Sequence, residues 1–194
     1  MTKSGTAINS RKGLKICGGI TVIFLIVLAI VIPTLWFTIL KPKDPEITVY
    51  PQGLENINPF SMLSMRNMTL NMTITINNHR NIGSFKFKNS TAYVTYRGDV
   101  VAEVPIRQNF ILAHGKLNVS TSTDLMVSKM IRNRLFFNDV GAGSLNLTAT
   151  AALHGKVSLF NLLKMSAIAF STCDISFSIF HRQVKSICKS KIKL

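Results

Sequence analysis

The residue types that could do chemistry in this chain are few and scattered. Four histidines (His79, His114, His154 and His181) stand far apart, with no pair at metal-ligand spacing. Of the eight acids, Asp44, Glu46 and Glu55 fall in a proline-punctuated connector, which leaves Asp99, Glu103, Asp124, Asp139 and Asp174 for a folded region. His114 and His154 each precede Gly-Lys, and both read as turn residues. Gly141-Ala142-Gly143-Ser144 lacks the lysine and following helix of a phosphate-binding loop, so it too reads as a turn. There is no nucleophile elbow. The inventory points away from an enzyme and calls for no metal or cofactor.

Covalent chemistry of another kind is better represented. Beyond residue 40 the only cysteines are Cys173 and Cys188, a count that closes one disulfide in an oxidising compartment. Closing so short a loop would stabilise the fold by about 3 kcal/mol on the chain-entropy model. The plain alternative is two free thiols, with Cys173 buried beside Ile175. Cys17, at the edge of a long apolar run, is a palmitoylation candidate, and a lipid-facing cysteine is the plainer reading. Asn-x-Ser/Thr acceptors occur at Asn67, Asn71, Asn89, Asn118 and Asn146. In residues 69–76 (TLNMTITI), Leu70, Met72, Ile74 and Ile76 share one face of a strand, so Asn71 falls on the polar face. The same alternation sets Asn118 against Leu117 and Val119, and Asn146 against Leu145 and Leu147. Unused sequons in a cytosolic strand protein are the competing account.

Charge supplies the remaining functional signal. The chain carries a net +15, and residues 44–194 hold seventeen lysines and arginines against eight acids, a net of +9. Arg182, Lys185, Lys189, Lys191 and Lys193 crowd the C-terminal segment, which reads as a basic binding tail. Nucleic acid is the usual partner for such a balance, but export from the cytosol removes it. Acidic wall polysaccharide and anionic lipid headgroups remain as polyanions, with protein partners at the plasma membrane beside them. A merely solvated end is the bland alternative.

What positions these groups begins with a membrane segment. No charge interrupts the chain between Lys15 and Lys41, and residues 16–40 (ICGGITVIFLIVLAIVIPTLWFTIL) span roughly 37 Å as a helix, against about 30 Å of bilayer hydrocarbon. A cleaved signal would have a shorter core and a small-x-small site, and Trp36-Phe37-Thr38-Ile39-Leu40 offers none. Lys3, Arg11, Lys12 and Lys15 keep the N-terminus cytosolic by the positive-inside bias. The expected organisation is a cytosolic basic stub (1–15), a transmembrane helix (16–40), a connector with an edge strand near residues 46–50 (41–65), and an extracellular domain (66–194).

Period-two alternation dominates that domain, in residues 69–76, 92–96, 100–104, 109–113, 116–121, 145–153 and 172–180. Arg97-Gly98-Asp99 reads as a hairpin turn, and His154-Gly155-Lys156 as a second. Residues 124–137 repeat apolar side chains at helical spacing, capped by Thr123 or Asp124, and predict one short helix. Residues 158–170 are ambiguous between helix and strand, with strand preferred because a strand continues them. Alternating strands with one polar face predict a mainly β fold, an antiparallel β-sandwich.

These residues also carry a resemblance. A basic stub, one anchor and a β domain containing AYVTYRG (92–98), then Val100-Val101-Ala102-Glu103-Val104-Pro105, resemble the plant late embryogenesis abundant group 2 family. The similarity is greater to its membrane-anchored branch, the non-race-specific-disease-resistance/harpin-induced-like proteins. The ending from Cys173-Asp174-Ile175 to Cys188-Lys189-Ser190-Lys191-Ile192-Lys193-Leu194 is similar too. Where that family has Asn-Pro-Asn after its first core strand, this chain has Asn77-Asn78-His79. The resemblance implies a fibronectin-III/immunoglobulin-like sandwich, plasma-membrane residence and a part in defence or stress responses. The function expected is a non-enzymatic binding or tethering module, and the alternative is a lipid-binding domain with an apolar seam between its sheets.

Overall fold

The computed structural model describes residues 10–35, 42–52, 67–159, 163–181 and 183–194. The backbone divides into two compact units, Met1–Lys41 and Pro42–Leu194. The first contains α1 (Ser10–Leu35), with Pro33 near its end. Within it Gly18–Leu35 is long and apolar enough to cross a membrane. Ile20, Phe24 and Ile30 expose 60% or more of their surface, which suits lipid better than water. Residues 36–40 of the expected span lie outside the described residues, as do the side chain of Cys17 and much of the stub and connector.

The second unit is a β-sandwich. Its small sheet runs β1 (Glu46–Gln52), β2 (Met68–Asn77), β7 (Lys116–Leu125). Its large sheet contains β3 (Gly83–Phe87), β4 (Ser90–Tyr96), β5 (Asp99–Ile106), β6 (Asn109–Ile111), β8 (Ser144–Leu159), β9 (Leu163–Ser178) and β10 (Gln183–Lys193). All pairings are antiparallel. β8 is the hub: β9 pairs along one flank over its whole length, while β4 and β3 share the other.

Alternation explains why these residues make two sheets around one interior. β2 buries Met68, Leu70, Met72, Ile74 and Ile76 and turns Thr69 and Asn71 outward. β9 buries Cys173, Ile175 and Phe177 with Asp174 and Ser176 outside. Thr121 and Thr123 donate their hydroxyls to the Pro105 and Glu103 carbonyls at 2.7 and 2.6 Å, which ties β7 to β5. At the other edge the Ile192 amide donates to Asp44 Oδ1 at 2.9 Å. Between the sheets lies an apolar cavity of about 60 Å³, bounded by Val49, Met72, Ile74, Val104, Val119 and Ile175 among others.

The structure corrects three sequence expectations. Residues 124–137 form not one helix but two short ones, α2 (Val127–Ile131) and α3 (Phe136–Gly141), after β7 has run on through Asp124. Asn133 separates them: its side-chain oxygen accepts the Leu135 amide at 3.1 Å and starts a new turn. Neither Thr123 nor Asp124 caps a helix. His154-Gly155-Lys156 is no turn but the middle of β8. Its glycine serves close approach, since a Cβ there would run into the Lys86 carbonyl oxygen and stand 2.6 Å from the Phe85 ring. The C-terminal segment, expected as a tail, is the edge strand β10, paired with β9 from Gln183↔Ser178 to Lys193↔Ile168. The Arg97-Gly98 turn is as expected: both residues have positive φ, 49° and 95°, the conformation of a two-residue primed hairpin turn.

Candidate functional site: a lysine face on the large sheet

β10 projects Lys185, Lys189, Lys191 and Lys193 from one side of the sheet, with Ile187 among them, because an even spacing in a strand keeps one face. Arg182 lies outside the described residues. Successive members of this row stand about 7 Å apart where they are two residues apart. The register carries the same face across the sheet. Lys193 lies opposite Ile168, Ile168 opposite His154, and the His154 carbonyl accepts the Lys88 amide. One step along, Ser166 lies opposite Lys156, and Lys156 opposite Lys86. Lys164, further along β9, shares the face and is exposed, as Lys86, Lys88 and Lys156 are. Eight lysines from five segments therefore share one outer surface, against Asp174 and Glu103 as its acids among the described residues.

The Lys86–Lys156 pair is the most informative part of this surface. Directly opposed side chains on antiparallel strands have Cβ atoms about 5 Å apart, and like charges there are destabilising. No described ion pair relieves either lysine. Lys193 is held differently, its ammonium 5.5 Å from the centre of the Phe170 ring. Sequence reading found only the β10 part of this face. Lys86 and Lys156 are seventy positions apart, and only strand pairing brings them together.

The disulfide is present: Cys173 and Cys188 are direct cross-strand partners with an S–S distance of 2.03 Å. It fastens the edge strand bearing four of the lysines to the body of the sheet. All five sequon asparagines are exposed. Asn71 and Asn118 lie on the outer face of the small sheet, and Asn118 Oδ1 accepts the Thr75 hydroxyl at 2.9 Å. Asn89 Oδ1 accepts the Gln108 amide at 2.6 Å. An N-linked sugar is attached through nitrogen, so both acceptor roles survive glycosylation.

Two buried asparagines escaped sequence reading. Asn78 Nδ2 donates to the Gly83 and Leu112 carbonyls at 2.9 and 3.0 Å. Asn81 Nδ2 donates to Asn78 Oδ1 and to the Lys43 carbonyl, and its Oδ1 accepts the Lys43 amide at 2.6 Å. This clasp fastens the start of the domain to the β2–β3 turn. The density of asparagine in residues 77–81 was its only sequence signal. The histidines are not gathered: His114 Nδ1 lies 2.7 Å from the His79 carbonyl oxygen, and carbonyls only accept, so that nitrogen donates. His154 sits on the lysine face. Among the described residues no group of three His, Cys, Asp or Glu is placed to hold a metal ion.

At the other end of the sandwich, Asp139 on α3 accepts the Tyr96 hydroxyl at 2.6 Å and both Nε and Nη2 of Arg97 at 3.0 and 2.8 Å. Arg97 first, then Tyr96, hold the Asp139 carboxyl below the usual carboxylate range. Burial, then the hydrogen bond to Asp139, push the Tyr96 phenol up.

No family model matches the chain, and no curated protein matches it. Among solved structures it is similar to a protein from Archaeoglobus fulgidus, at 7% identity and a TM-score of 0.35, covering 78% of this chain and 96% of that one. A second, the Northeast Structural Genomics Consortium target SoR45, is 12% identical with a TM-score of 0.37, covering 74% and 84%.

Proposed function

We propose that this chain is a non-enzymatic, single-pass plasma-membrane protein whose exported sandwich tethers it to an acidic polysaccharide. The carrying observation is the lysine face, and within it the opposed Lys86 and Lys156. A polyanion laid across that pair replaces a repulsion with two attractions. Lysines suit such a ligand: each is a mobile point charge, and a row of them tracks a chain of carboxylates without demanding one geometry. Export is supported by the apolar helix, the disulfide and the exposure of every sequon. A part in plant defence or stress responses, within the late embryogenesis abundant group 2 family, is the reading that the sequence resemblance adds.

The alternative, acyl-chain uptake between the sheets, has less support. The cavity of about 60 Å³ is under half the roughly 150 Å³ that accommodates benzene, so the sandwich would have to open.

The test uses the full chain in nanodiscs of neutral lipid. Retention on de-esterified pectin should fall steeply as salt shortens the screening length below about 10 Å. Lys86→Ala/Lys156→Ala should weaken retention as much as Lys189→Ala/Lys191→Ala, while unfolding at a temperature no lower than the parent's because the cross-strand repulsion is relieved. If only the β10 pair matters, the binding surface is a single strand. If neither pair matters, the tethering reading is wrong, and stronger retention on anionic vesicles than on pectin would favour the lipid reading.

A further inference from the structure

The end of the sandwich carrying α2 and α3 has a chemistry unlike the lysine face. Two of its cations are guanidinia: Arg132 and Arg134 stand exposed in the link between the two helices, and among the described residues neither guanidinium has an ion-pair or hydrogen-bond partner, whereas the Lys129 ammonium of α2 donates to the Val100 carbonyl. Beside them Leu135 is 43% and Phe137 57% exposed. Asp99 shares the open depression formed with Arg132, Arg134 and Leu135. Asp139, the nearest acid in sequence, is already taken by Arg97 and Tyr96.

The link is also held still. Asn133 donates its amide to the Met130 carbonyl, its own carbonyl accepts from Phe136, and its side chain accepts from Leu135. Phe136 is fully buried with its ring edge-on to Tyr96, so the segment after the link is fixed from inside. An exposed leucine and phenylalanine cost free energy in water, and on a backbone already fixed by these hydrogen bonds they add only their own side-chain ordering on binding.

From this we infer a protein-docking surface at residues 132–137, whose occupant is an acidic segment of a partner protein carrying an apolar side chain. Two planar guanidinia bind carboxylates through paired hydrogen bonds, a geometry that lysines do not reproduce. Arginine and aromatic side chains together are the composition of protein interfaces. A polysaccharide supplies carboxylates but nothing for Leu135 and Phe137 to bury against. A lipid surface would be met better by the eight lysines on the other face.

The test uses the full chain in neutral-lipid nanodiscs and a fluorescent peptide probe in which glutamates flank a phenylalanine. A control peptide replaces that phenylalanine with glycine. The first peptide should bind and the control bind at least about tenfold more weakly. Arg132→Ala/Arg134→Ala and, separately, Phe137→Ser should each reduce binding by a similar factor. Lys86→Ala/Lys156→Ala should leave the ratio between the two peptides unchanged, because any binding of glutamates to the lysines is common to both, and this separates the surface from the tethering face. Since Phe137 and both arginines are exposed, the variants should keep their thermal unfolding. Equal binding of the two peptides, or loss only with the lysine variants, would overturn the proposal in favour of a general charge effect. Concentration-dependent pairing of the protein that Phe137→Ser abolishes would also overturn it, making the occupant a second copy.

Discussion

Arg97 and Asp139 form a two-pronged ion pair that joins the β4–β5 turn to α3, although forty-two positions separate them. Arg97 reaches it from a left-handed backbone conformation, φ 49°, which the hairpin turn imposes. The turn that sequence alone identifies thus has a second use: it aims a guanidinium at the only acid of α3.

The first prediction concerns pH. The Asp139 carboxyl is depressed in the fold, so its contribution is complete above the ordinary carboxylate pKa of about 4 and is lost as pH falls through the lower folded value. Asp139→Asn should remove that part of the acid sensitivity. The Tyr96 phenol is raised, so its contribution is complete below about pH 10 and is lost as pH rises above it. Tyr96→Phe should cost about 1 kcal/mol near neutrality and flatten the alkaline limb. Thermal unfolding across pH would show both limbs; identical profiles for Asp139→Asn and the parent would refute the first.

Reduction of Cys173–Cys188 provides the second. The bond closes a separation of 15 residues, and its loss should cost about 3 kcal/mol. Because it pins an edge strand, hydrogen exchange should rise first in β10, and retention on pectin should fall with it. Reduction that leaves β10 exchange unchanged would mean that the ladder to β9 suffices alone.

A third follows from Gly155. In Gly155→Ala the new methyl would meet the Lys86 carbonyl and the Phe85 ring, so β3 and β8 must separate. We expect a loss of about 1–3 kcal/mol, as for overpacking elsewhere. Gly141→Ala, with nothing within 4 Å of the added carbon, should be neutral within about 0.5 kcal/mol. Comparable melting temperatures for the two variants would disprove the close-approach argument.

Topology gives the fourth. Endoglycosidase should shift the mobility of protein taken from intact cells, and protease added outside should remove the sandwich. A protected, unglycosylated sandwich would place it in the cytosol and remove the case for an external polyanion.

Much of this fold could be read from local pattern. β2, the start of β7, the first part of β8 and the last part of β9 announce themselves through alternation, and Arg97-Gly98 through turn chemistry, because strand and turn preferences are short-range. The middle of β8, read as a turn at His154-Gly155-Lys156, and the start of β9 do not. The pairing of Cys173 with Cys188 followed from their being the only two cysteines beyond the anchor. The lysine face was legible only in its β10 row, since the opposition of Lys86 to Lys156 depends on which strands become neighbours. Residues 124–137 misled for a related reason: Met130 and Phe136 are both buried, but a single asparagine breaks the helix between them. Asn78 and Asn81 were missed because buried amides have no periodicity. Their role depends on the carbonyls of Gly83, Leu112 and Lys43, and the last two come from distant segments.

The clasp between Asn81 and Lys43 gives the domain a mechanical character. Any pull arriving through residue 42 meets two hydrogen bonds side by side before it reaches β1. β1 itself is matched to β2 from Glu46↔Asn77 to Gln52↔Asn71, so tension along its axis would shear all seven rungs at once instead of opening them singly. A module of this build resists being drawn out by its leading end. Single-molecule extension from that end should record a lower rupture force for Asn81→Ala than for the parent, and equal forces would show that the strand ladder alone sets the resistance.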